Sequence, residues 1–232
     1  MKRFTSLIFL LSIFIYTYAQ KNRFIPLETW PYVYENFTPG TVLTHKGVTN
    51  SFDLLNINIA DGKLHYVENG VIMQADMNLV SLIKIGQDVY VNYGGYAYKA
   101  LAQTDHGAVL LKTEVDMEQL SKANIGYGKS SVASTSNVSA YTLPGGNNIN
   151  KSLEDINNNR YSGNELPIRE KYYLYIDGKL VRASKKDVLV FAGDQQNNTK
   201  EYIKNNKIKW KDVFCLQNLV EYLYGISANN NE

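Results

Sequence analysis

The chain has 232 residues, 44% of them apolar and 20% charged, with a formal net charge of +2 and a single cysteine, Cys215. That length supports one large or two small domains with a real core. A near-neutral balance excludes recruitment of nucleic acid or an anionic membrane by a long-range field, and one cysteine excludes an internal disulfide framework.

Residues 1–19 read as a secretory signal peptide. Lys2 and Arg3 form a positive start, Phe4 to Tyr16 an apolar stretch, and Thr17-Tyr18-Ala19 a small-residue cleavage site before Gln20. The protein is therefore expected to be exported, to the periplasm or the cell exterior, with cleavage at about Ala19/Gln20. No cysteine lies near that point to accept a lipid, so a lipoprotein is not expected. Nor does any later stretch reach the ~20 apolar residues of a membrane helix, which predicts a soluble mature chain without a transmembrane segment. Loss of Lys2 and Arg3 with the leader leaves a net charge of zero. The charge is uneven, because residues 170–211 hold most of the basic excess.

Residues 30–119 read as a β-rich domain, an antiparallel barrel or sandwich. Turn signals recur at Pro39-Gly40, Lys46-Gly47, Asp61-Gly62, Asn69-Gly70, Gly94-Gly95 and His106-Gly107, with β-branched and aromatic residues between them. Asp61-Gly62 predicts a type I′ hairpin, since Leu55, Ile57 and Ile59 alternate with asparagines before it. Residues 120–169 are rich in Ser, Asn and Gly and are expected to form a flexible loop or linker, with a short helical turn at Leu153–Asn157.

Residues 170–228 read as a β-hairpin around Asp177-Gly178 followed by short helices, either a separate unit or part of the same domain. Ser184 and Asp187 make a capping box for a helix through Phe191. Thr199 to Asn206 forms a second helix. Asp212 caps a third, with Val213, Leu216, Leu219, Val220 and Leu223 at helical spacing and Gly225 as its end. The whole is α+β, mainly β, with a small C-terminal helical part.

Candidate chemistry is sparse. His45, His65 and His106 are scattered, and neither a His-Glu-x-x-His pattern nor paired cysteines accompany them, so no metal site and no cofactor are expected. No Gly-x-Ser-x-Gly nucleophile turn occurs. Cys215 falls on the apolar side of the last helix and is expected to be a buried small hydrophobe. Gly126-Tyr-Gly128 before Lys129 lacks the spacing of a phosphate loop. Asp53 and Asp61 are carboxylates of the kind a glycosidase pairs, but their spacing singles out no pair. The lysines 200, 204, 207, 209 and 211, with Tyr202 and Trp210 among them, read as a solvated helical face.

Tyrosine carries the positive signal. In Tyr90-Val-Asn-Tyr93-Gly-Gly-Tyr96-Ala-Tyr98, a two-residue Gly94-Gly95 turn pairs Tyr93 with Tyr96 and Val91 with Tyr98, which puts all four on one face. Exposed, Tyr93, Tyr96 and Tyr98 can stack on a sugar or contact a partner protein; packed, they are a sheet face. Tyr172, Tyr173 and Tyr175 repeat the pattern.

The layout resembles a group of uncharacterised exported β-rich proteins of Bacteroidetes-type bacteria. The likeness lies in Ala19-Gln20, Phe37-Thr-Pro-Gly-Thr-Val42, Ala183-Ser-Lys-Lys-Asp-Val-Leu189, Tyr202-Ile-Lys-Asn-Asn-Lys-Ile-Lys-Trp210 and Leu219-Val-Glu-Tyr-Leu223. It implies export and a β-then-α order, and brings no activity or catalytic residue. The expected function is a non-enzymatic envelope protein that binds an envelope protein or a glycan. The alternative is a carbohydrate-binding or carbohydrate-hydrolysing protein using exposed tyrosines and scattered carboxylates.

Overall fold

Tight turns impose the architecture. Gly94 and Gly95 have φ of 59° and 82°, and Asp177 and Gly178 have 47° and 75°, the two successive positive angles of a type I′ turn. Such turns match the twist of the strands they join, so each folds the chain straight back on itself. In the computed structural model, which describes residues 31–116, 118 and 168–229, this produces one antiparallel sheet. The signal peptide, Leu153–Asn157 and Gly126–Gly128 lie outside the described residues.

The strands are β1 (Thr38–Thr44), β2 (Thr49–Asn58), β3 (Lys63–Glu68), β4 (Val71–Gln74), β5 (Val80–Ile85), β6 (Asp88–Tyr93), β7 (Tyr96–Gln103), β8 (Gly107–Val115), β9 (Ile168–Ile176) and β10 (Lys179–Arg182). Their order across the sheet is β10-β9-β8-β7-β6-β5-β1-β2-β3-β4. Two meanders thus share a seam where β5 returns to pair with β1. The 171–183 hairpin joins the first sheet, because β9 pairs with β8 along Gly107–Val115. Residues 168 and 169, expected in the loop, are already in β9.

The sheet is not closed into a barrel; β4 and β10 remain its edges. It curls instead. The turn between β2 and β3 reaches β7, where Ala97 N–H donates to the Gly62 carbonyl at 2.8 Å. Ile59 from that turn packs with Val115 and Ile168. Within the curl, Val42, Leu55, Leu64, Ile83 and Tyr90 form a core. Among the described residues, helices rather than strands cover the rest of the same face.

Those helices are α1 (Lys185–Ala192), α2 (Gln196–Asn205) and α3 (Val213–Asn229). Ser184 caps α1, its hydroxyl accepting from the Asp187 amide, and Asp212 caps α3 by accepting from Cys215 N–H at 3.0 Å. Leu216, Leu219, Val220 and Leu223 on α3 meet Val109, Leu174 and Ile176 of the sheet. Each fully buried leucine of such a seam is worth roughly 1.5–3 kcal/mol against exposure. Among the described residues, no helix is long and apolar enough to cross a membrane.

Four local expectations need correction. Pro39-Gly40 is not a turn but lies in β1, at a register shift opposite β2. Asp61-Gly62 is not a two-residue type I′ turn. Asn58 pairs with Lys63, which leaves Ile59 to Gly62 as a four-residue turn in which only Gly62 has positive φ. The Asn58 amide oxygen accepts from Ala60 N–H and an Asp61 carboxylate oxygen from Lys63 N–H, which holds that wider turn. Gly225 does not end α3, which runs to Asn229. A single glycine costs only ~1 kcal/mol in a helix, less than the packing of Leu223 and Ile226 supplies. Cys215 is half-buried rather than buried, because it sits beside the packed stripe of α3 and not on it.

Candidate functional site: an aromatic and cationic sheet face

The two faces of the sheet differ in kind. One is the core face just described. On the other, cross-strand pairing places Tyr93 against Tyr96 and Val91 against Tyr98, as the Gly94-Gly95 turn predicts. The helices do not cover these tyrosines, since Val109, Leu174 and Ile176, which meet α3, alternate with Leu110, Tyr173 and Tyr175.

Tyr93 and Tyr96 are 38% and 42% exposed, while Tyr98 is only 6% exposed. Two of the three candidate residues therefore reach solvent, and the third supports them. Tyr98 meets Tyr173 edge-on, with ring centroids 5.2 Å apart, and Tyr93 meets Tyr175 at 6.2 Å. Edge-to-face pairs of this kind are worth ~0.5–1.5 kcal/mol beyond their buried area and fix ring orientation. Burial, then the neighbouring Tyr173 and Tyr96, push the Tyr98 phenol up to about 12. It stays neutral and acts as a packing group, not as a base.

Charge joins the aromatics through β8 and β9. The register sets Lys112 directly opposite Lys171 and Glu114 opposite Arg169. Glu114 gathers all three cations: Lys171 Nζ makes a close ion pair with it, Arg169 lies at 3.3 Å and Lys112 at 3.4 Å. Partial burial works against the charged form, but Lys171 and then Lys112 outweigh it and hold the Glu114 carboxyl below its usual range. The Lys112 ammonium also sits 4.1 Å from the centre of the Tyr96 ring, a cation–π contact that ties the charged cluster to the tyrosine pair. Gly62 abuts the same ring, so the β2–β3 turn borders this face.

The sequence singled out the tyrosines but not Lys112, Glu114, Arg169 or Lys171. Their alternation in Leu111-Lys112-Thr113-Glu114 and Arg169-Glu170-Lys171 marks solvent-side strand positions. Their convergence depends on β8 pairing with β9 across the 116–167 interval, which no local pattern encodes.

The three histidines have separate surroundings. His45 is exposed at the β1–β2 turn. His65 is fully buried, where Nδ1 is bonded to the Tyr32 hydroxyl at 2.8 Å and Nε2 lies 3.7 Å from Asp61 Oδ2. His106 meets Glu221 of α3. Among the described residues, no group of three or more His, Cys, Asp or Glu is placed to hold a metal ion. Asp61 belongs to the His65 pair, and Asp53 is exposed on β2. An open groove of about 280 Å³ runs beside the His106 turn, between Gln103, Thr104 and Asp105 and the α3 residues Phe214, Gln217 and Glu221. Phe214 is 71% exposed there.

No protein-family model, no curated protein and no solved structure matches this chain.

Proposed function

We propose that this is an exported binding protein of the cell envelope, periplasmic or extracellular, that engages its partner or ligand through the face bearing Tyr93 and Tyr96. The observation that carries the reading is that exposed cross-strand pair, left uncovered while α1, α2 and α3 pack on the opposite side. Tyrosines supply large, rigid contact area with a polar tip, which is why they dominate recognition surfaces. The supporting tyrosines Tyr98, Tyr173 and Tyr175 lower the entropy lost when the exposed pair is engaged.

The chemistry of Glu114 favours binding over sugar hydrolysis at this face. A glycosidase acid needs a raised pKa to stay protonated. Three cations do the reverse and keep Glu114 ionised.

The test is affinity capture from the envelope fraction of the producing organism, with the wild-type protein and the Tyr93→Ala/Tyr96→Ala variant. A partner retained by the first and lost by the second is the expected result. Equal recovery by both, with the variant folded, would remove this face from the function.

A further inference from the structure

We infer that the tyrosine face takes a carboxylate-bearing polysaccharide, a chain of uronic-acid type, an inference that rests on the binding role proposed for this face. Three observations lead there.

The first is an excess of positive charge that the fold retains at a cost. Lys112 and Lys171 stand directly opposite each other on adjacent strands. Like charges in that register destabilise a sheet. Lys84 and Arg182 share the face by register, through Leu82–Val91–Tyr98 and through Tyr173. Among the described strand residues of β5–β10, the carboxylate on this face is Glu114, which Lys112, Arg169 and Lys171 already share, while Asp187 of α1 lies near Tyr173 and Arg182 at the far end. The face is thus complementary to an anion, and Glu114 shows the type of anion the cluster accepts.

The second is the placement of that cluster against the rings. The Lys112 ammonium lies over Tyr96, and Tyr96 pairs with Tyr93. A pyranose presents an apolar C–H face to an aromatic ring while its carboxylate projects from the ring edge. Such a unit on Tyr93 or Tyr96 brings its acid toward Lys112 and Lys171.

The third decides between a sugar and a peptide. β6, β7, β8 and β9 each have hydrogen-bonded neighbours on both sides. Their main-chain groups are spent in the ladder, and strand addition needs a free edge. The face offers only side chains, which suits a ligand recognised by stacking and charge.

The test is calorimetric titration of the purified protein with trigalacturonate, with its neutral methyl ester, and with an oligoglutamate of the same charge. The expected result is binding of trigalacturonate roughly tenfold tighter than of the ester, weakened several-fold when salt rises from ~0.05 to ~0.5 M. Lys112→Met/Lys171→Met should bring the acid down to the level of the ester without changing the ester. Tyr93→Ala should weaken both, with melting curves checking that each variant is folded. Equal binding of acid and ester overturns the acidic class and leaves a sugar-binding face. Preference for oligoglutamate overturns the sugar and leaves the binding face. Binding of none of the three overturns the inference, and the Tyr93→Ala/Tyr96→Ala capture experiment then decides whether the binding role falls with it.

Discussion

His106 Nδ1 lies 2.6 Å from Oε2 of Glu221, joining the β7–β8 turn to the middle of α3. The His106 ring also stacks on Tyr224, with centroids 3.9 Å apart. The two contacts fasten the helical layer to the sheet from outside, where Leu219 and Val220 fasten it from within.

This latch predicts an acid-side weakness. The Thr104 hydroxyl and then the His106 ring beside Glu221 hold its carboxyl below the usual value of 4.5. A carboxyl depressed in the folded state adds stability that is complete above its unfolded pKa and is lost as pH falls through the folded value. Wild-type stability should therefore drop below about pH 4.5, and Glu221→Gln should flatten that part of the profile. Because both groups are well exposed, the loss at neutral pH should be no more than ~1 kcal/mol, read from urea midpoints.

Glu114 makes a second prediction of the same sign. Its carboxyl is also held low, so its contribution is complete above about 4.5 and fades below that. Glu114→Gln leaves Lys112 facing Lys171 without a counter-charge and should cost about 1 kcal/mol by denaturant titration. Adding Lys112→Met to that variant should recover part of the loss. No recovery would mean that the two lysines do not repel in the folded sheet.

Gly107 should not tolerate a side chain. A Cβ there runs into the main-chain oxygen of Tyr175 and reaches Val220 at 2.9 Å. The first obstacle is backbone of the paired strand and cannot rotate away. Gly107→Ala should cost about 1–3 kcal/mol, and thermal melting should detect it. The same substitution at Gly70, where a Cβ meets nothing, tests turn strain without a clash and should show a smaller effect.

Tyr32→Phe isolates the buried His65 pair. The substitution keeps the ring against Phe37 and removes the hydroxyl bonded to Nδ1. Loss of one partner in a fully buried pair should cost ~1–3 kcal/mol, measurable by chemical denaturation. A neutral result would mean that water reaches the histidine.

Most strands and the three described helices follow from local pattern, although α2 begins at Gln196, ahead of the expected Thr199, because the chain enters it directly from the turn Gly193–Gln195. The Gly94-Gly95 turn fixes the pairing of Tyr93 with Tyr96 because two successive positive φ angles leave the chain one way to return. Ser184 and Asp212 mark helix starts because their side chains satisfy amides that a helix leaves open. An antiparallel β body, C-terminal helices and a shared face for three tyrosines were thus legible in the residues alone. What each face meets was settled by contacts between distant segments. Alternation says that Val109 and Leu110 point opposite ways, but not that α3 lies on the first and tyrosines on the second. Joining of β9 to β8, the curl that leaves the sheet open, and the meeting of Lys112, Arg169 and Lys171 at Glu114 all depend on contacts between distant segments. Local preferences act over a few residues, whereas such contacts are chosen by which pairing buries the most apolar surface in the whole chain.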